Sequence, residues 1–264
     1  MFDWWRRLSR AEVIAQTFPA GFRELLVRGV PCAKLLDEGE LSKLEALVRL
    51  FNSEKTFEGA GGLTLTEEMR VVIAARACLL VLHRVELDEP LYPDLDTVIV
   101  YPSTYRARSE RRDGYLTIEE DQTRLGESWT RGVVVLSWDA VRAGSANLAD
   151  GHDVVLHEFA HQLDGEDGAM DGTPELDDFE RYSTWCKVAT AEYTALVDAV
   201  ERNRKTSIDA YGATDAAEFF AVVVERFFEK PASLERRHPE LYAELARFFR
   251  FDPARRQRDA LSGR

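Results

Sequence analysis

The sequence predicts an α+β fold, one main domain of helices around a few short strands with a helical cover at its amino terminus. Three observations carry this. Residues 10–53 repeat apolar positions at three-to-four spacing, as buried helices do. Short runs rich in β-branched residues follow at 97–102, 115–119 and 132–138. Between 154 and 164 an apolar, helix-compatible run carries the pattern His-Glu-x-x-His. At 264 residues the chain is long enough to bury one sizeable core.

In the amino-terminal segment Phe22, Leu25 and Leu26, then Leu41, Leu44, Leu47, Val48 and Phe51, mark helices that cover something else. Residues 58–62 read as a loop. Thr64 or Thr66, followed by Glu67 and Glu68, starts a largely buried helix running to about Arg84, with His83 near its end as a packing or capping residue. Residues 97–102 form a strand closed by proline, 106–113 a solvated loop, and 115–119 and 132–138 two further strands. Either of these two can present an unpaired edge to an extended peptide. The glycine-rich acidic stretch 165–174 lacks the EF-hand order and reads as a flexible rim loop. Helices follow over 183–203, 215–228 (ending near Pro231) and 239–249, the last stopped by Pro253. The expected organisation is a helical segment 1–56 packed on a main domain 57–252, with a frayed tail at 253–264.

A formal charge of −13, from 47 acidic and 34 basic residues, argues against nucleic-acid binding through the general field and favours peptide, protein or small-molecule partners. Cys32, Cys78 and Cys186 are odd in number and widely spaced, which predicts reduced thiols in a reducing compartment. The amino terminus lacks the order of a secretory signal. The most apolar stretch, 71–85, is broken by Arg76, His83 and Arg84, so no run has transmembrane length. A cytoplasmic protein without a membrane partner is the expectation. Trp4 and Trp5 beside Arg6 and Arg7 read as aromatics packed on the domain or a partner, in preference to a membrane anchor.

Residues four apart share a helix face, so His157 and His161 can grip one metal ion. Glu158, one position round, can reach a water activated by that metal and act as general base. Asn147, with Asp150 three residues later, offers an N-cap for this helix, and Gly165 can close it. A catalytic zinc wants a third protein ligand. A third histidine six residues past the second is excluded, because that position is Asp167. On the apolar run 215–225, Glu218 and Glu225 lie seven apart on one face. Glu218 is either a ligand or the partner of Asp215 in a capping box, and Glu225 is then a second-sphere or surface residue. Asp164, one turn after His161, is placed to accept the other N–H of a ligand histidine. Tyr211 either donates to a forming oxyanion or packs as a loop aromatic.

Residues 208–221, with Tyr211, Asp215 and Glu218, together with His157 to Asp164, the upstream Gly126-Glu127-Ser128-Trp129 and the run Val134 to Trp138, resemble the Mlc titration factor A family of zinc peptidases. The resemblance spans about Phe57 to Asp252. Tyr-x6-Glu after His-Glu-x-x-His is also similar, more distantly, to the catalytic domain of anthrax lethal factor. The resemblance implies a cytoplasmic, zincin-like (gluzincin) domain with aminopeptidase-like activity. It implies that Zn2+ is held by His157, His161 and Glu218, with Glu158 as base and Tyr211 stabilising the transition state. A second implied function is binding of Mlc, a repressor of sugar-transport genes. The expected partners are therefore a peptide or small protein substrate and a DNA-binding repressor protein. The alternative is a regulatory, repressor-sequestering module with a weak or vestigial zinc site.

Overall fold

Helices form early in the chain where acidic or hydroxyl residues cap apolar three-to-four repeats. The computed structural model describes residues 9–18, 20–103, 105–113, 116–124, 126–129 and 132–263, with the strands between 105 and 129 described as backbone. Trp4, Trp5, Arg6, Arg7 and Tyr115 lie outside the described residues. Helix α1 spans Arg10–Ile14, α2 Phe22–Gly29, α3 Glu38–Glu54 and α4 Glu67–Val81. Asp37 and Glu40 form a reciprocal cap on α3, and Thr66 caps α4 by accepting from the Met69 amide. Residues 71–81 of α4 are all buried, which explains an apolar sequence with no polar stripe. Leu44, Leu47, Val48 and Phe51 of α3 are wholly buried, and the Phe51 ring lies 5.7 Å from that of Phe159. The amino-terminal helices thus share one core with the helix that bears His157 and His161. His83 packs, stacked on Phe251 at 5.1 Å.

Strands β1 (Thr56–Gly59) and β2 (Thr97–Tyr101) are followed by β3 (Tyr105–Asp113) and β4 (Leu116–Arg124), then β5 (Gly126–Trp129) and β6 (Val133–Ser137). The main sheet has the order β1-β2-β6-β5, with the first three parallel and β5 antiparallel to β6. Val98 and Val100 sit opposite Val134 and Leu136, and all four side chains are fully buried. The expected solvated loop at 106–113 is instead strand β3, laddered antiparallel to β4. Its charged sequence has no alternation to read, and a two-stranded backbone ladder requires none. Of the two candidate edges, β6 is enclosed between β2 and β5, and β4 pairs outside the main sheet. The edge strand beside the later helices is β5.

Trp138, expected to end a strand, begins α5 (Trp138–Ala146), because Ser137 turns the chain by capping the Ala140 amide at 3.4 Å. Then come α6 (Val154–Asp164), α7 (Phe179–Glu201), α8 (Ala216–Glu229), α9 (Pro231–Arg237), α10 (Pro239–Phe248) and α11 (Pro253–Leu261). Pro231 and Pro253, expected as stops, open α9 and α11, since proline at a first helical position lacks only a donor that would be unpaired anyway. The expected frayed tail is therefore helical to Leu261. Asp252 caps it, Ala254 is buried, and Arg256 Nη2 lies 2.6 Å from Glu40 Oε1. The whole is a mixed fold of helices around a small, mostly parallel sheet.

Candidate metal centre

Helix α6 enters the core on an apolar face. Val155, Leu156, Phe159, Ala160 and Leu163 are fully buried, and His157, Glu158 and His161 share the remaining side. Its N-cap is Asp153, whose Oδ1 accepts from the Val155 and Leu156 amides at 3.0 and 3.2 Å. Asn147, the expected cap, ends α5 instead. An aspartate directly before the first apolar residue was the better signal. Gly165 closes the helix as expected.

Helix α8 crosses α6 and delivers Glu218. Asp215 accepts from the Glu218 amide at 2.9 Å, but the Glu218 side chain does not return to complete a capping box. Its Oε2 lies 2.9 Å from His157 Nε2 and 3.6 Å from His161 Nε2. The two readings of Glu218 are thus compatible, because its backbone serves the cap and its carboxylate faces the imidazoles. One ligand atom from each of His157, His161 and Glu218 can be chosen so that all lie within 4.8 Å of one another, a group able to hold a metal ion. Burial alone would raise the Glu218 carboxyl, but contact with both histidines holds it well below the usual carboxylate range. Burial opposes charge on His157 too, yet hydrogen bonds to Glu218 and Glu225 push it well up.

Behind His157 stands Glu225, which the sequence left as second-sphere or surface. It is buried, with Oε1 2.8 Å from His157 Nδ1 and Oε2 accepting from the Asp153 amide at 2.5 Å. Sequence reasoning missed the next link. Arg76 of α4 is fully buried and pairs with Asp153 Oδ2 at 2.5 Å. A lone arginine inside an apolar helix was its signal.

Asp164 was expected to orient His161. It is buried, and burial pushes its carboxyl up to about 6. Its Oδ2 accepts from the Gly172 amide at 3.0 Å, while His161 Nδ1 makes no hydrogen bond. Asp164 therefore fastens the rim loop, which Trp185 Nε1 also holds by donating to the Gly172 carbonyl at 3.1 Å. Tyr211 sits in a 3-10 turn, Ala210–Ala213, capped by Asp209 at 2.8 Å. Its hydroxyl donates to Glu218 Oε1 at 3.1 Å, and its ring lies 6.0 Å from that of His157. Burial and the Glu218 charge raise the phenol, which stays a proton donor. Glu158 is buried beside them and, with His157, Tyr211, Val154, Gly144 and Val222, lines a cavity of about 480 Å³.

Comparison with known proteins shows a metallopeptidase family. A family model described as "Glucose-regulated metallo-peptidase M90" matches residues 2–250, so the likeness extends across the amino-terminal helices. The chain is 41% identical over 251 residues to uncharacterized protein slr2042 of Synechocystis sp., covering 94% of this chain and 90% of that one. It is 32% identical over 262 residues to Mlc titration factor A of Serratia proteamaculans, covering 97% and 95%. It is 31% identical over 233 residues to the protein of the same name from Klebsiella pneumoniae, covering 87% and 86%.

Proposed function

Because the chain belongs to the glucose-regulated metallo-peptidase M90 family, we propose that it is a zinc-dependent peptidase in which His157, His161 and Glu218 hold the ion. The observation that carries this reading is the meeting of two imidazole Nε2 atoms and one carboxylate beside the buried Glu158. Two nitrogens, one oxygen and an open position suit catalytic zinc, whereas a structural site closes with four ligands. A glutamate completing His-Glu-x-x-His makes the domain a gluzincin in this proposal.

When bound, the ion supplies Lewis acidity to the scissile carbonyl and to water. Glu158 takes the proton of the attacking water and returns it to the leaving amine. Tyr211 turns from Glu218 to donate to the oxyanion as it forms. Glu225 accepts from His157 Nδ1–H, which leaves Nε2 facing the site. Asp164 acts indirectly, by fastening the rim loop. An extended peptide pairs with the outer edge of β5, which no described strand covers. Asp150 and Asp209 line the same cavity and supply carboxylates for a free substrate amine, which favours aminopeptidase-like cleavage. Residues 57–252 carry these groups, with 1–56 as helical cover and α11 (Pro253–Leu261) fastened to that cover through Arg256 and Glu40. Three free thiols favour the cytoplasm, and among the described residues no helix is long and apolar enough to cross a membrane.

The name of the relatives, Mlc titration factor A, favours a second role, the binding of a repressor of the Mlc type. One experiment separates the two. Zinc-loaded protein is incubated with a mixed library of peptides and aminoacyl amides, with Glu158→Gln alongside. Cleavage by the wild type alone supports the peptidase. Cleavage by neither, with zinc retained in both, leaves repressor sequestration as the function.

A further inference from the structure

A second cavity, of about 290 Å³, lies where the end of α4, the start of α7 and the end of α10 meet. Three arginines, Arg84, Arg181 and Arg250, line it with Glu175, Asp177 and Phe248. In a chain of net charge −13 three arginines meet here among carboxylates that balance their charge.

The three guanidinium groups have few close protein acceptors, and in Arg181 two nitrogens are buried with none. Arg84 lies over the Phe248 ring at 3.7 Å, donates to the Phe248 carbonyl at 3.4 Å and approaches Glu166 only to 3.7 Å. Arg181 Nη1 donates to Asp177 at 2.7 Å, but its Nε and Nη2 are buried without a hydrogen-bond partner. Arg250 comes no nearer than 3.8 Å to that same Asp177. The carboxylates nearby balance the charge, yet one of them serves two arginines and another stands at ion-pair distance only. Each guanidinium carries five N–H donors in a planar fork that matches an oxyanion two oxygens at a time. Buried donors such as Arg181 Nε and Nη2 are seldom left unpaired, because each costs its full desolvation.

We propose that this cavity binds phosphate, free or as a monoester, between Arg84, Arg181 and Arg250. Its volume falls at the small end of ligand pockets, which run from roughly 300 to 1,000 Å³, so a phosphate group fits better than a nucleotide. Arg181 and Arg250 grip the oxygens, and Arg84 contributes by exchanging Glu166 for the ligand. Glu166 belongs to the 3-10 turn Gly165–Asp167 that directly follows α6, so the ligand and the rim of the metal centre compete for one arginine. The site itself does not depend on the peptidase reading.

The test is calorimetric titration of the zinc-loaded full chain at fixed ionic strength, with inorganic phosphate in one arm and glycerol phosphate in the other. Saturable binding of one equivalent is expected. The arm with the higher affinity identifies the source as free phosphate or a monoester. Arg181→Gln and the more exposed Arg250→Gln should each weaken binding about tenfold or more, as loss of a charge-assisted hydrogen bond does. Glu166→Gln, which removes the competitor, should tighten it several-fold, and the exposed Arg142→Gln should leave it unchanged. Absence of saturable binding in both arms overturns the proposal. So does binding that survives Arg181→Gln and Arg250→Gln, because the phosphate would then sit elsewhere, the metal centre included.

Discussion

His157 Nδ1 lies 2.8 Å from Glu225 Oε1, and Glu225 Oε2 accepts from the amide of Asp153, the residue that caps the same helix. One buried carboxylate therefore sets both the ring and the start of the helix that carries it. Glu225→Gln should weaken metal binding about ten- to a hundredfold, the usual cost of losing such an outer partner. Competition with a chromophoric chelator measures this. Wild-type affinity in a folded variant would show that His157 needs no such support.

Tyr211 donates to Glu218 at 3.1 Å and remains more than half exposed, so little packing depends on its hydroxyl. Tyr211→Phe should lower kcat by about tenfold or more and leave KM nearly unchanged, the pattern of a contact made in the transition state. A rise in KM at constant kcat would assign Tyr211 to substrate binding.

Glu229 accepts from the amides of Gly151 and His152 at 2.6 and 3.1 Å, and burial with the nearby Asp153 charge raises its pKa from 4.5 to about 8. Between those values the folded chain holds a proton that the unfolded chain has lost. Stability contributed by this group is thus greatest below pH 4.5 and falls as pH rises to about 8. Glu229→Gln should flatten that decline, matching wild type in acid and exceeding it by on the order of 2 kcal/mol in mild alkali. Urea midpoints across the range read the difference. Parallel curves would place the titration elsewhere.

Gly172 has φ +79°, and a Cβ there would stand 2.3 Å from the Ala216 carbonyl oxygen. Gly172→Ala should cost about 2 kcal/mol or more, since strain and a backbone clash add. Thermal unfolding is the measurement. The clash falls on the first turn of α8, next to Glu218, so metal affinity should drop as well.

What could be read from the chain depended on sequence distance. His157, Glu158 and His161 were visible because one helix fixes their spacing. Glu218 was half visible, since its distance from Asp215 suits a cap as well as a ligand; its amide serves the cap while its carboxylate faces the imidazoles. Arg76 and Asp153 stand 77 residues apart, and no local pattern could pair them. Asp164 showed the converse limit: its place one turn after His161 suggests that it accepts from that ring, whereas its side chain accepts from the Gly172 amide. The charged strand β3 had no apolar alternation to betray it. Pro253 reads as a terminator in sequence because proline also follows helix ends, yet here it opens α11.

In the proposed function, peptide cleavage runs through one metal ion at His157, His161 and Glu218. The most direct test is to strip the protein with a chelator and follow peptide hydrolysis while zinc is returned, in wild type, Glu158→Gln and Glu218→Gln. The account predicts that wild-type activity returns in step with the first equivalent, that Glu158→Gln takes up zinc without activity, and that Glu218→Gln binds it far more weakly. Hydrolysis that persists without metal, or an active Glu158→Gln, would contradict it.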